Sequence, residues 1–252
     1  MKLPKPENLI LGFVIGFILI SYLLIFLVDI MTDRPDAMAS PLWVHFYREG
    51  GFAEMLQWAG LGTCSVVSAM MWGRSTRNGA PENPDDRFWL FFSIGTLIML
   101  IEDAGNPRHM LARYFDAGLG FDHSGLIPEL LVFGTIGVLL LYPLYYYGGV
   151  TKTTAKTRKL VISGYVFYAI AAASSFVGTI QFPTGPGEWY MIYWDVGMFL
   201  QDITNNDIIG DQSPHLIVDF MWEETVELLG VGFLCGFVLR EAHKFRLLKL
   251  PY

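Results

Sequence analysis

The sequence predicts an all-α integral membrane protein, a polytopic bundle of six transmembrane helices. Apolar residues make up 53% of the 252 residues and charged residues only 16%, whereas roughly a quarter of the residues of a soluble domain are charged. The mean hydropathy is +0.41. Long apolar segments alternate with short polar connectors along the whole chain. We therefore expect a single transmembrane domain covering residues 1–252.

The first predicted span follows a basic N-terminus. Leu9–Val28 contains no charged residue, and about 20 apolar residues are enough to cross roughly 30 Å of hydrocarbon as a helix. A cleaved signal peptide is the rival interpretation, because Ala37-Met38-Ala39 resembles a cleavage site. The apolar stretch is longer than the about 7–15 residues of a signal peptide. We therefore favour an uncleaved first helix.

The next four predicted spans are apolar segments, and three of them carry acidic residues near one end. Glu54 opens the second span, Glu102 and Asp103 close the third, and Glu129 lies near the start of the fourth. The fifth contains no acidic residue. The first five spans are predicted at residues 9–30, 52–73, 88–104, 126–147 and 160–182.

The sixth predicted span, residues 215–240, has an unusual, ionisable first half. Each step of four residues turns a helix by about 400°, so residues spaced by four form one slowly winding stripe. A charged side chain at the centre of a membrane helix costs about 2.5–3.5 kcal/mol, so these side chains should face other helices, water or a cation. The stripe comprises His215, Asp219, Glu223 and Glu227, with Glu224 beside it.

The distribution of basic residues predicts the orientation. Of the 17 lysines and arginines, 13 lie in the N-terminus, the second and fourth connectors and the C-terminal tail, and the other connectors hold only four arginines. The positive-inside rule then places both termini in the cytoplasm. Of the 24 acidic residues, 19 lie on the opposite, outer side or in the outer halves of spans. We expect a multi-pass protein of the cytoplasmic membrane.

Two connectors contain further structure. The longest, residues 183–214, includes the aromatic stretch Trp189–Trp194, which predicts a short helix or hairpin at the membrane interface. The sequence Gly105-Asn106-Pro107 predicts a helix break. Asn106 can cap a second short helix that starts at Pro107 and carries Arg108, His109 and Arg113.

Composition excludes several function classes. A net charge of −7 gives no basic footprint for nucleic acid. Cys64 and Cys235 lie in apolar runs and are expected to be small buried hydrophobes rather than part of a disulfide scaffold or a thiolate zinc cluster. No phosphate-binding loop, dinucleotide fingerprint or Ser-His-Asp order is present. The expected partner is the lipid bilayer, with a membrane-protein partner or a second copy of the chain left open.

The acidic residues of the second, third, fourth and sixth spans lie in the outer halves of their spans, which predicts a shared outer pocket. Carboxylates and imidazoles suit a divalent metal ion such as Fe, Mn or Zn, and a bound metal in a dry site can activate water or oxygen. The candidate ligands are Glu102, Asp103, His109, Glu223, Glu224 and Glu227. The candidate entrance or surrounding residues are Glu54, Asn106, Arg108, Arg113, Glu129, His215 and Asp219.

Two other functions fit the same residues. Carboxylates at graded depth are typical of a proton or cation pathway. Alternatively, Arg108 and Arg113 pair with the carboxylates, and the chain is a structural subunit of a membrane complex. The sequence predicts neither a substrate nor whether the protein is an enzyme.

Overall fold

The structure is a computed structural model. It describes residues 5–31, 40–77, 86–107, 110–111, 114, 126–147, 154–179, 188–203 and 214–245, with the side chains of 77, 126–129, 175–179 and 188–190 left out. Helices account for nearly all of these residues, and no strand occurs among them. The prediction of an all-α protein is confirmed.

Among the residues that the structure describes, a helix lies at each of the six predicted segments, two further helices lie between them, and helical residues also follow Asn106. Several of these helices extend further into polar residues than predicted. The second long helix continues to Arg77, beyond the predicted end at residue 73, because a helix does not stop where its apolar stretch stops. The helices are α1 (Pro6–Ile25, continued by a π turn over Phe26–Ile30), α2 (Leu42–Tyr47), α3 (Phe52–Arg77), α4 (Asp86–Gly105), α5 (Leu126–Tyr146), α6 (Ala155–Thr179), α7 (Glu188–Ile203) and α8 (Pro214–Lys244).

Two of the helices are long and apolar enough to cross a membrane. They are Pro6–Ile30, of which most side chains are exposed, and Asp86–Gly105. A shorter apolar helix covers Leu130–Tyr146. The membrane location therefore has support from two helices, whereas six spans and the orientation of the termini stay predictions.

The chain divides into two compact units. Unit 1 comprises Met1–Leu11, Trp58–Phe167 and Gly230–Tyr252, and unit 2 comprises Gly12–Gln57 and Tyr168–Leu229. Helices α1, α3, α6 and α8 each contribute residues to both units. The single domain over residues 1–252 stays a prediction.

An aromatic cluster joins α4 to α8 in unit 1. Phe237 of α8 stacks on Trp89 at a centroid distance of 5.5 Å and meets Phe88 edge-on at 6.0 Å. Phe92 contacts the same ring at 5.8 Å. All four side chains are buried. Such aromatic pairs add stability beyond that expected from the apolar area they bury.

Small residues allow the helices of unit 1 to approach closely. A Cβ atom at Gly60 would lie 2.6 Å from Val231, and one at Gly164 only 3.2 Å from the carbonyl oxygen of Gly230. The Cys64 and Cys235 sulfur atoms lie 3.4 Å apart between α3 and α8. Both thiols are free and buried, as predicted. Close approach of backbones at small residues is a common way of packing membrane helices.

In unit 2, an acidic side chain from the end of the first helix caps α2. The carboxylate of Asp29 accepts hydrogen bonds from the backbone N–H groups of Leu42 at 2.9 Å and Trp43 at 3.0 Å. Asp29 is fully buried. Because the first N–H groups of a helix have no partner within the helix and carry partial positive charge, this carboxylate is stabilised locally.

Candidate functional site in the first half of the last helix

The predicted stripe of carboxylates lies on one uninterrupted helix. Helix α8 begins at Pro214, which is favourable in a first helical turn. Unit 2 contains its residues up to Leu229, and this part includes every acidic residue of the predicted stripe. Its neighbours in unit 2 determine what those carboxylates contact.

Asp219 and Glu223 face α7. Burial raises the pKa of the Tyr193 phenol, and the charges of Asp219 and Glu223 raise it further. Two carboxylates one helical turn apart therefore lie near one tyrosine ring. The next residue of α7, Trp194, stacks on His215 at a centroid distance of 6.4 Å, so α7 forms an aromatic wall beside the start of α8.

Gly197 explains why α7 can lie so close. A Cβ atom at this position would collide with the backbone carbonyl of Pro214. Since backbone cannot move aside as a flexible side chain can, only glycine permits this approach. Gly197 thus helps to hold the aromatic wall against the carboxylates of α8.

Glu227 faces α3. The Gln57 side-chain amide donates a hydrogen bond from Nε2 to Glu227 Oε2 at 2.6 Å, and Gln57 is only 1% exposed. We did not predict Gln57 as a site residue. The available signal was its position one helical turn after Glu54 in an otherwise apolar segment.

Glu224 faces the side of α8 where α1 and α2 lie. Burial raises the pKa of Tyr47 to about 12; the hydrogen bond with Ser21 opposes this, and the charge of Glu224 adds to it. On the same side, the Tyr22 hydroxyl lies 3.1 Å from the Thr225 hydroxyl. The acidic first half of α8 therefore has polar or aromatic neighbours from α1, α2, α3 and α7.

The charge balance of unit 2 is strongly negative. Among its residues that the structure describes, ten are acidic and one, Arg48, is basic. Arg48 is exposed. One arginine cannot balance ten carboxylates, so this unit attracts cations.

Two predicted entrance residues have local backbone roles. The Glu54 carboxylate accepts the backbone N–H of Gly50 just before α3, as a glutamate in the first turn of a helix often does. Asn106 adopts a left-handed φ of 50° after α4, and its carbonyl accepts the Met110 N–H at 3.3 Å. Pro107 is helical, so the predicted break and the restart of a helix after it are confirmed.

The other predicted site residues are only partly described. Glu102 and Asp103 are half-buried at the end of α4 in unit 1. Glu129 belongs to α5, but its side chain lies outside the described residues, as do Arg108, His109 and Arg113. Their convergence with the α8 carboxylates stays a prediction. Among the side chains that the structure describes, no three His, Cys, Asp or Glu residues form a group that could hold a metal ion.

No protein-family model, curated protein or solved structure matches this chain.

Proposed function

We propose that the chain is a six-span protein of the cytoplasmic membrane with both termini inside, and that carboxylates of α8 bind a divalent cation on the outer side. Two helices long and apolar enough to cross a membrane support the location. The concentration of basic residues at the N-terminus, two connectors and the C-terminal tail supports the orientation.

The observation that carries the cation site is the spacing of Asp219 and Glu223, one turn apart on α8, beside the stacked rings of Trp194 and His215. Carboxylate oxygens with water in the remaining positions suit Mn²⁺ better than Fe or Zn, since Mn²⁺ shares the preference of Mg²⁺ for oxygen ligands. The excess of carboxylates in unit 2 strengthens the attraction for any cation.

The neighbouring aromatic residues have a supporting role in this proposal. The Tyr193 phenol, whose pKa is raised above its ordinary value by burial, is neutral near pH 7, so its hydroxyl can donate a hydrogen bond to a carboxylate oxygen or to a water on the cation. Trp194 and His215 close one side of the site. A water held there would be the group that a metalloenzyme activates.

Metal content tests the proposal. Detergent-purified protein incubated with Mn²⁺ and then desalted should retain about one ion per chain, and the double variant Asp219→Asn/Glu223→Gln should lose it. The matched control is Asp195→Asn/Asp202→Asn, which removes two exposed carboxylates of α7. The proposal is wrong if the wild-type protein retains no metal, or if both double variants retain it equally while remaining folded by size-exclusion chromatography.

The contact between Gln57 and Glu227 favours a second candidate, the movement of protons or cations. A glutamine amide can donate to an ionised carboxylate and, after rotation by 180°, accept from a protonated one. This pair is suited to taking up and releasing a proton. Glu227→Gln should then abolish proton flux in liposomes while leaving Mn²⁺ content unchanged, whereas unchanged flux removes this candidate.

A further inference from the structure

A cationic surface lies in unit 1, where the start of α1, the start of α6 and the end of α8 meet. The same place holds two acidic residues, Glu7 and Glu241. The basic residues that define the cationic surface are Lys5, Lys156, Arg158, Lys159, Arg240 and Lys244.

Glu7 joins the three helix ends. Its carboxylate lies 2.6 Å from Nη1 of Arg240 on α8 and 3.1 Å from Nζ of Lys156 on α6. The Lys156 ammonium also donates to Asn8 Oδ1 at 3.0 Å. Because these contacts connect α1, α6 and α8, the six basic residues lie together at one end of these three helices.

The two acidic residues contribute little to the outside of this surface. Glu7 is 1% and Glu241 is 3% exposed. Glu241 accepts hydrogen bonds from Lys244 Nζ at 2.5 Å and from Thr157 Oγ1 at 2.8 Å. In contrast, Lys5, Arg158 and Lys159 are exposed. What faces outward is therefore positive charge, with four more basic than acidic residues.

Local helix energetics do not explain the bases on α6. Lys156, Arg158 and Lys159 lie at the N-terminal end of this helix, and no acidic residue occurs in its first turn. The N-terminus already carries the positive end of the helix dipole, so cations there are unfavourable. An anionic partner would compensate both the dipole and the side-chain charges.

Exposed apolar side chains lie directly beside the cationic surface. Leu9 of α1, one turn after Lys5, is 53% exposed, and Ile162 of α6, one turn after Arg158, is 46% exposed. A soluble anion needs no apolar neighbour. A phospholipid presents a phosphate next to acyl chains and matches both features.

We propose that the cationic surface binds the phosphate groups of anionic phospholipids such as phosphatidylglycerol. The acyl chains would lie along the exposed apolar side chains of α1 and α6. This binding rests on the membrane location proposed above but is independent of the cation site in unit 2. Basic clusters at the ends of membrane helices are a known mode of lipid recognition.

Native mass spectrometry of the full chain in mixed micelles tests this proposal. Phosphatidylglycerol should remain bound in preference to phosphatidylcholine. Lys159→Gln should weaken phosphatidylglycerol binding about fivefold, and Arg158→Gln/Lys159→Gln about 25-fold. The control is Arg48→Gln, which removes an exposed arginine of unit 2 and should leave lipid binding unchanged.

Three outcomes would overturn the proposal. The first is equal retention of the two lipids, and the second is unchanged binding by the double variant. The third is displacement of the lipid by inorganic phosphate at equal concentration, which would identify a soluble-anion site. Retention of neither lipid is a case of the first outcome and likewise overturns the proposal. Mn²⁺ content, measured on the same samples, separates all of these outcomes from a failure of the cation site.

Discussion

Units 1 and 2 both bury carboxylates but compensate them differently. In unit 1, Glu7 and Glu241 lie against arginine and lysine, and the described residues of this unit include nine bases and six acids. In unit 2, the corresponding numbers are one base and ten acids. In unit 2, Asp29 accepts hydrogen bonds from backbone N–H groups, and Glu227 accepts one from the neutral side-chain amide of Gln57.

This difference distinguishes carboxylates that stabilise the fold from carboxylates that can bind a ligand. A buried ion pair neutralises itself, and removing one partner is costly because the other stays buried. A carboxylate held by backbone or amide donors keeps its negative charge. Unit 1 therefore uses buried carboxylates to join helices, whereas unit 2 retains a field that attracts cations.

Removal of Arg240 should cause the largest loss of stability, because it disrupts the buried ion pair of unit 1. Arg240→Ala leaves Glu7 buried with Lys156 as its remaining cation, and we expect a loss of about 3 kcal/mol in the free energy of unfolding. Urea titration in detergent measures it. Lys159→Ala, at an exposed base of the same surface, should change stability by less than about 0.5 kcal/mol. Equal effects of the two variants would show that Glu7 does not join the helices.

Gly197→Ala should disturb the packing of α7 against the start of α8 in unit 2. The added methyl group forces α7 away from the Pro214 backbone, which should cost about 1–3 kcal/mol and weaken Mn²⁺ binding by moving Tyr193. Calorimetry and metal analysis measure the two effects. Gly134→Ala is the control, because a Cβ atom there meets nothing within 4 Å. If Gly197→Ala binds Mn²⁺ as the wild type does, α7 is not part of the site.

Loss of the Asp29 carboxylate should have a smaller effect. Asp29→Ala removes the acceptor for two N–H groups of α2, with an expected cost of about 1–2 kcal/mol. Asp29→Asn should recover part of it, since one oxygen acceptor remains. Hydrogen exchange at Leu42 and Trp43 should accelerate more in the alanine variant. Unchanged exchange at both amides would argue against capping by Asp29.

The last effect appears only at alkaline pH. The pKa of Tyr47 is raised to about 12 from an ordinary value of 10.0. The phenol is neutral in folded and unfolded chains below pH 10, so stability is unaffected there. Between pH 10 and about 12 the unfolded state ionises first, and stability falls. The absorbance difference between wild type and Tyr47→Phe should therefore titrate near pH 12. Titration near pH 10 would contradict burial of this ring.

Several local features could be predicted because their causes lie close together in the chain. Runs of apolar residues led to a helix at each of the six predicted segments, and the aromatic stretch after Pro183 belongs to α7. The Asn106 break follows from its proline neighbour and its own tolerance of positive φ. Helix ends were less predictable, since the lysines, threonines and arginines there are compatible with helix and coil alike.

The roles of the individual carboxylates could not be predicted in this way. Glu54 looks like a member of an acidic pocket, yet it accepts a backbone N–H group, as Asp29 does. The deciding partners are backbone atoms, which every residue carries and no sequence pattern marks. Gln57 has the same difficulty, because its partner Glu227 is 170 residues away.

The sequence by itself determined that this chain is helical, strongly apolar and acidic along one stripe of its last long helix. Those properties depend on composition and on the 3.6-residue period of a helix, which act within a few turns. Only the tertiary structure decided which neighbour each carboxylate faces. Asp219 and Glu223 face the tyrosine ring of α7, and Glu227 faces the glutamine amide of α3. Glu7 faces the arginine of α8. Such pairings arise when helices distant in sequence pack against one another, and side-chain packing selects them.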